Sequence, residues 1–296
     1  MNDLLDKYKK IAVIGGDRRQ AVVARRLTDV AEVIVCGMPE EIVNDERVKC
    51  TDVLADALSG VSSIILPLPA SSDGFHINAP LSKTLSEIKL TSILKLADCS
   101  TQIFGGRLPT AFTLLAEEKG LKIYDFFESE TLQIKNAYTT AEAALSIAMN
   151  TLSKNVRGSR IAITGYGRIS KLLSRLLLSV GAEVTVAARK ASDLAFASTE
   201  RCTTLSIAEG SKEIYSLCHG YDVIFNTVPS RIFDREFLEK LDKKTAVIEL
   251  ASSPGGVDIC AAKELGTNMI WALSLPGKYA PESAGEHIAE TLKEII

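Results

Sequence analysis

Histidine is scarce in this sequence: His76, His219 and His287 are the three in 296 residues. None stands at metal-ligand spacing from another, which argues against a histidine-based metal centre. The six cysteines, Cys36, Cys50, Cys99, Cys202, Cys218 and Cys260, are scattered with no Cys-x-x-Cys pair. That pattern suits free thiols better than a disulfide frame or a zinc site, and no metal is expected. There is no basic surplus, 34 Lys and Arg standing against 37 Asp and Glu, so a nucleic-acid partner is not expected. No apolar run approaches the roughly 18 residues of a membrane-crossing helix. Residues 1–10 are polar and charged and lack the apolar core of a secretory signal. The expectation is a cytoplasmic protein with no membrane partner.

What is present points to an α/β fold. At 296 residues, 46% of them apolar, the chain can bury two ordinary cores. Two segments open alike, Lys10-Ile11-Ala12-Val13-Ile14-Gly15-Gly16 and Arg160-Ile161-Ala162-Ile163-Thr164-Gly165. Each is followed by a helix-like stretch, 18–28 and 168–180, and then by a second apolar strand, 32–37 and 183–188. Strand, glycine turn, helix, strand is a βαβ unit, and continuously apolar strands belong to parallel sheets covered on both faces. Further strands are predicted at 61–66, 93–98 and 121–124 in the first half, and at 222–226, 245–249 and 268–272 in the second. Thr139, with Glu142 three residues on, reads as a capping box opening a connector helix. An amphipathic stretch, 283–296, ends the chain. The reading is two doubly wound, Rossmann-like parallel-sheet domains across a cleft: 1–138 for substrate, 139–279 for a dinucleotide, with the helix 280–296 packing back on the first.

The second glycine turn, Gly165-Tyr166-Gly167-Arg168-Ile169-Ser170, carries the functional expectation. Glycines alone are a weak signal, but here they follow a strand, open a helix and lead to a second strand. Gly165 permits the tight turn, and Gly167 lets backbone N–H groups approach a pyrophosphate. Ser170 stands where glycine or alanine is usual, a mild misfit. The second strand ends Ala187-Ala188-Arg189-Lys190-Ala191-Ser192, without the acid that an NAD ribose requires. Arg189 can hold a 2′-phosphate, with Lys190 and Ser192 adding donors, so NADP is the expected cofactor. Asn226-Thr227-Val228-Pro229 and the loop opening at Ala251 follow later strands and should flank the coenzyme. Gly15-Gly16-Asp17-Arg18 lacks the second spaced glycine and puts an acid where a pyrophosphate would sit, so the first half is read as the substrate or partner domain.

Four stretches also carry a family resemblance: K-I-A-V-I-G-G-D-R-R-Q from Lys10, I-I-L-P-L-P-A-S-S-D-G from Ile64, L-A-S-S-P-G-G-V-D from Leu250, and L-P-G-K-Y-A-P-E-S-A-G from Leu275. In this order, the sequence resembles the A-subunit family of bacterial dipicolinate synthases. It departs from the family's glycine loop at Ser170, and from the P-T-x-E-G start of its interdomain helix at Thr139–Ala143. The resemblance implies a fold like the D-2-hydroxyacid dehydrogenases, whose terminal helix returns to the first domain. It implies NADP-dependent oxidation of dihydrodipicolinate, or its hydroxytetrahydro precursor, to dipicolinate in the mother-cell cytoplasm of a sporulating bacterium. The partner it implies is the flavoprotein-like B-subunit of the same synthase; a homo-oligomer stays open.

Such chemistry needs donors for two carboxylates and an acceptor for a proton. Ser71, Ser72, Arg231 and Lys278 each follow a predicted strand and are the candidates for holding a small dicarboxylate, Lys278 also for catalysis. His76 is the better-placed candidate base, because His287 sits inside the final helix; Asp73 and Glu142 are further candidates. Two other readings remain: another NADP-dependent oxidoreductase of a small hydroxy or imino acid, and an NADP-binding regulatory subunit without chemistry of its own.

Overall fold

The computed structural model describes residues 9–208, 212–252 and 254–296. The described residues within Met1–Lys135, together with Ala280–Ile296, form one compact unit, and Asn136–Tyr279 forms the other.

In the first unit, β1 (Lys10–Ile14) runs through a glycine turn into α1 (Arg18–Leu27) and back through β2 (Glu32–Cys36) and β3 (Val48–Thr51). Then come β4 (Ser63–Ile65), β5 (Gln102–Gly105) and β6 (Lys122–Asp125). The sheet order is β3-β2-β1-β4-β5-β6 and every pairing is parallel. Alternate residues of β1 face opposite cores. Ala12 and Ile14 join one apolar cluster, Ile11 and Val13 the other, and all four are fully buried. This two-sided burial is why the strand reads as an unbroken apolar run.

A 22-residue helix, α2 (Glu130–Thr151), leads into the second unit. Its sheet repeats the design: β7 (Arg160–Thr164), α3 (Arg168–Ser179), β8 (Glu183–Ala188), α4 (Ala191–Thr199), β9 (Thr203–Ser206), β10 (Val223–Asn226), β11 (Ala246–Glu249) and β12 (Met269–Trp271). The order β12-β11-β10-β7-β8-β9 is again all parallel. In both units strand order reverses beside the first strand, between β1 and β4 and between β7 and β10. In doubly wound sheets ligands bind at such switch points, beyond the carboxyl ends of the strands.

Two expectations are corrected, and two edge strands are added. The strand expected near 93–98 is a helix, Thr91–Leu96, whose Ile93 and Leu94 point into the core. The true neighbour of β4 is the polar-flanked β5. A short, largely apolar stretch fits either element, and periodicity cannot separate them. Thr139 does not open a helix, because it lies mid-helix in α2 with its side chain buried. The first-turn donors lie nearer Glu130, where Ser129 Oγ accepts from the Leu132 N–H at 3.4 Å. The edge strands β3 and β9 were not foreseen, since each buries little and carries polar residues.

The last helix, α5 (Pro281–Ile295), starts on a proline and lies against α1. A Cβ on Gly285 would come within 2.5 Å of Val22 Cβ and 2.6 Å of the Arg19 carbonyl, so only glycine allows this approach. Arg25–Glu282 and Lys293–Asp29 ion pairs, each 2.8 Å, and Arg26–Glu286 flank the contact.

Candidate functional site

The glycine turn after β7 has the geometry of an anion cradle. Gly165 adopts φ +83, and a Cβ there would stand 2.7 Å from Thr227 Oγ1. Conformation and close approach both require glycine. Gly167 is the N-cap of α3 and supplies no side-chain cap, and the space beyond its Cα is open. A helix start without a side-chain cap, facing open space, suits a phosphate group.

Ser170 is no misfit. It is fully buried, with Oγ 2.8 Å from Thr227 Oγ1. Thr227 already donates its proton to the Thr164 carbonyl at 2.7 Å, so Ser170 is the donor between the two hydroxyls. The hydroxyl ties α3 to the loop after β10, where a glycine would only have made room. Tyr166 turns inward beside it, packing on Phe196 at 6.2 Å between ring centroids, and burial pushes its phenol up.

A cavity of about 780 Å³ opens here, within the usual range of ligand pockets. Gly165, Tyr166, Gly167, Ala188, Arg189, Lys190, Thr227, Val228, Pro229 and Arg231 all line it, as a site at this switch point would have them. Arg168, Ile169, Asn226 and Ala251 do not line it; the last two lie beneath its wall. Unforeseen wall residues include Asp193, Ile207, Lys212, Tyr215 and Asp234. Ile207 directly follows the edge strand, and Lys212 and Tyr215 lie on the helical turn Lys212–Cys218, where the sequence shows no periodicity. Four cationic side chains, Arg189, Lys190, Lys212 and Arg231, face two acids, Asp193 and Asp234. Arg231 also lies 3.5 Å from Asp258. The excess is positive, suiting an anionic ligand. β8 itself ends without an acid, but Asp193 stands on the first turn of α4.

Beneath the wall lies a buried polar cluster. Thr164 Oγ1 donates to Asn226 Oδ1 at 2.6 Å, and Asn226 Nδ2 donates to Glu249 at 2.8 and 2.9 Å. Glu249 also accepts from the Ala251 and Gly256 N–H groups at 2.8 and 2.9 Å. Burial pushes its carboxyl up, while these hydrogen bonds pull it back.

The first unit's glycine turn is closed to such a ligand. The Gly16 N–H donates to the Asn78 carbonyl at 2.8 Å, and that oxygen with Ile77 and Ala79 occupies the space beside Gly15. Asp17 caps α1 by accepting from the Arg19 N–H at 3.0 Å. The helix start that is uncapped in α3 is here satisfied by its own carboxylate.

Of the residues proposed for chemistry, Ser71 and His76 meet at one carboxylate. Asp73 accepts from Ser71 Oγ at 3.0 Å and from the Phe75 and His76 N–H groups at 2.8 Å, and pairs with His76 Nδ1 at 2.7 Å. The bond from the His76 ring, foremost, holds Asp73 far below the usual carboxylate range. Ser72 is exposed. Lys278 lies on a short helix of the second unit, in a separate groove of about 270 Å³ beside Ile147 and Trp271. Arg231 and Lys278 therefore line different cavities of one unit. His287 has its Nδ1 buried without a partner among the described residues, and burial pushes its imidazole below its ordinary range.

Residues 10–127 match the family described as the N-terminal domain of the dipicolinate synthase A-subunit. The chain is 30% identical over 291 residues to the dipicolinate synthase A-subunit of Bacillus subtilis, covering 97% of this chain and 95% of that protein. A solved structure of the dipicolinate synthase A-subunit from Bacillus halodurans superposes with a TM-score of 0.86 at 24% identity, covering 98% of this chain and 99% of that one. A solved L-alanine dehydrogenase, at 13% identity, shares the fold with a TM-score of 0.65 over 95% of this chain and 87% of its own.

Proposed function

Because the chain belongs to the dipicolinate synthase A-subunit family, we propose that it is an NADP-dependent oxidoreductase that forms dipicolinate from dihydrodipicolinate, or from its hydroxytetrahydro precursor, together with a second subunit. The observation that carries this reading is the uncapped start of α3, opening onto a cavity whose β8 rim bears Arg189 and Lys190. Those two cations would take the 2′-phosphate by charge-assisted hydrogen bonds. The α3 terminus would take the pyrophosphate, and Thr227, Val228 and Pro229 would border the nicotinamide half. Bound there, the nicotinamide supplies a hydride acceptor.

Turning dihydrodipicolinate into dipicolinate removes one hydride and one proton from the ring, and aromatisation favours the product. The chain must therefore hold two carboxylates and receive the proton. Arg231 is the proposed carboxylate partner in the second unit. In the first, the Ser71–Asp73–His76 cluster is the proposed polar site. With Nδ1 committed to Asp73, His76 would receive a proton at Nε2, the carboxylate orienting the ring as in other base–carboxylate pairs. Lys278, in its separate groove beside Ile147 and Trp271, is left out of this proposed site.

The test is an assay of the purified chain with NADP and freshly generated substrate, with and without the second subunit, following NADPH and dipicolinate. Turnover only with the partner supports a shared site, and turnover alone supports a self-sufficient enzyme. NADP binding without turnover under either condition would reduce the chain to a regulatory role.

A further inference from the structure

Glu249 is the last residue of β11 and has no solvent exposure. Every group around its carboxylate is a donor: Asn226 Nδ2, the Ala251 and Gly256 N–H groups, and the Val257 N–H. Among the described residues it makes no ion pair. The Asn226 amide is held in one orientation, because its oxygen accepts from Thr164 Oγ1 at 2.6 Å and from the Val228 N–H at 3.1 Å, while Nδ2 also donates to the Val228 carbonyl at 3.0 Å. Gly256 closes the arrangement. A Cβ there would stand 2.3 Å from Asn226 Nδ2, and its carbonyl accepts from the Ile232 and Phe233 N–H groups at 3.0 and 2.9 Å.

One buried carboxylate thus ties the ends of β10 and β11, and through Asn226 the end of β7, to the loops that follow β10 and β11. A buried carboxylate without a counter-ion is costly to keep, and apolar side chains of similar volume would avoid that cost. Neither Glu249 nor Asn226 lines the cavity, but Thr227 and Val228, which the cluster holds, do. We propose that Glu249 is a positioning residue for the coenzyme's nicotinamide half, acting through Asn226 on the Thr227–Pro229 wall. The proposal rests on the coenzyme site argued above. Among the described residues, Gly167, Arg189 and Lys190 on the phosphate-binding side take no hydrogen bond from the cluster, and α3 is tied to the wall through the Ser170–Thr227 hydrogen bond.

The experiment compares binding of NADP with binding of adenosine 2′,5′-bisphosphate, which carries the 2′-phosphate and lacks the nicotinamide half. Glu249→Gln turns an acceptor into an NH₂ group that meets donors. It should weaken NADP by roughly tenfold or more, the scale seen when a supporting hydrogen-bond partner is removed, and leave the bisphosphate within about twofold. The ratio between the two ligands is the readout, since a general loss of structure would weaken both alike. Equal weakening of both ligands, or no weakening of either, would overturn the proposal. Should Glu249→Gln fail to fold, Glu249→Asp, which keeps the charge but shortens its reach, is judged by the same ratio. Wild-type protein that binds neither ligand would refute the coenzyme reading itself, a different failure from an equal loss in the variant.

Discussion

Ser170 Oγ and Thr227 Oγ1 lie 2.8 Å apart, and the proton on Thr227 is committed to the Thr164 carbonyl. Ser170 therefore donates across the gap that most glycine loops leave bare, locking α3 to the wall of the cavity. Ser170→Ala removes one buried hydrogen bond and should cost on the order of 1 kcal/mol in denaturant unfolding. Ser170→Gly should cost more, since it adds backbone freedom inside a helix. A more stable glycine variant would restore the view of serine as a misfit.

Arg189 and Asp193 should pull cofactor choice in opposite directions. Arg189→Asp should weaken NADP tenfold or more beyond its effect on NAD, as loss of a charged hydrogen bond of roughly 1.5–3 kcal/mol implies. Asp193→Asn removes a like charge from the same cavity and should tighten NADP. Calorimetric titration with both dinucleotides measures each ratio, and equal weakening of NAD and NADP in the arginine variant would sink the 2′-phosphate argument.

His76 is the proposed proton acceptor, held by Asp73. His76→Asn keeps the turn and removes the base, so kcat in the reconstituted assay should fall by about 10²–10⁴, with the coenzyme Kd and the unfolding midpoint nearly unchanged. An unaltered kcat would mean that the proton leaves without this residue.

His287 should make the first unit sensitive to mild acid. Burial, and then Lys135, lower its pKa from 6.5, against opposing pulls from Glu290 and Glu286. A lowered folded-state value means that the unfolded chain takes up the proton first as pH falls. Stability should decline from about pH 6.5 down to the folded-state value, then stop responding to this group. In His287→Gln the difference between urea midpoints at about pH 7.5 and about pH 5.5 should shrink; an unchanged difference would assign the effect elsewhere.

Much of the frame was legible in the chain itself. Ile11–Ile14 and Ile161–Ile163 are apolar without interruption because both faces of each sheet are covered, and that pattern survives in one dimension. The glycine turn was legible for a related reason, since positive φ at Gly165 and an open approach at Gly167 allow few residues. Strands at the sheet edges were not legible: Val48–Thr51 and Thr203–Ser206 owe their conformation to a neighbouring strand, not to an apolar pattern of their own. The Thr139–Glu142 pair illustrates the opposite error, a local capping signal overridden by a helix already under way.

What the sequence by itself determined is the two-fold repeat of strand, glycine turn and helix, and the absence of an acid at the end of β8. Only the tertiary structure decided what each glycine turn can hold. In the first unit a distant carbonyl, that of Asn78, takes the Gly16 N–H, while in the second, among the described residues, the start of α3 has no side-chain cap and the space beside Gly167 is open. It also decided that Asn226 and Ala251 sit under the cavity wall, and that Glu249, unremarkable in a strand, gathers donors from three directions. Hydrogen-bond partners 23 to 62 residues apart are set by which strands become neighbours, and no local pattern records that choice.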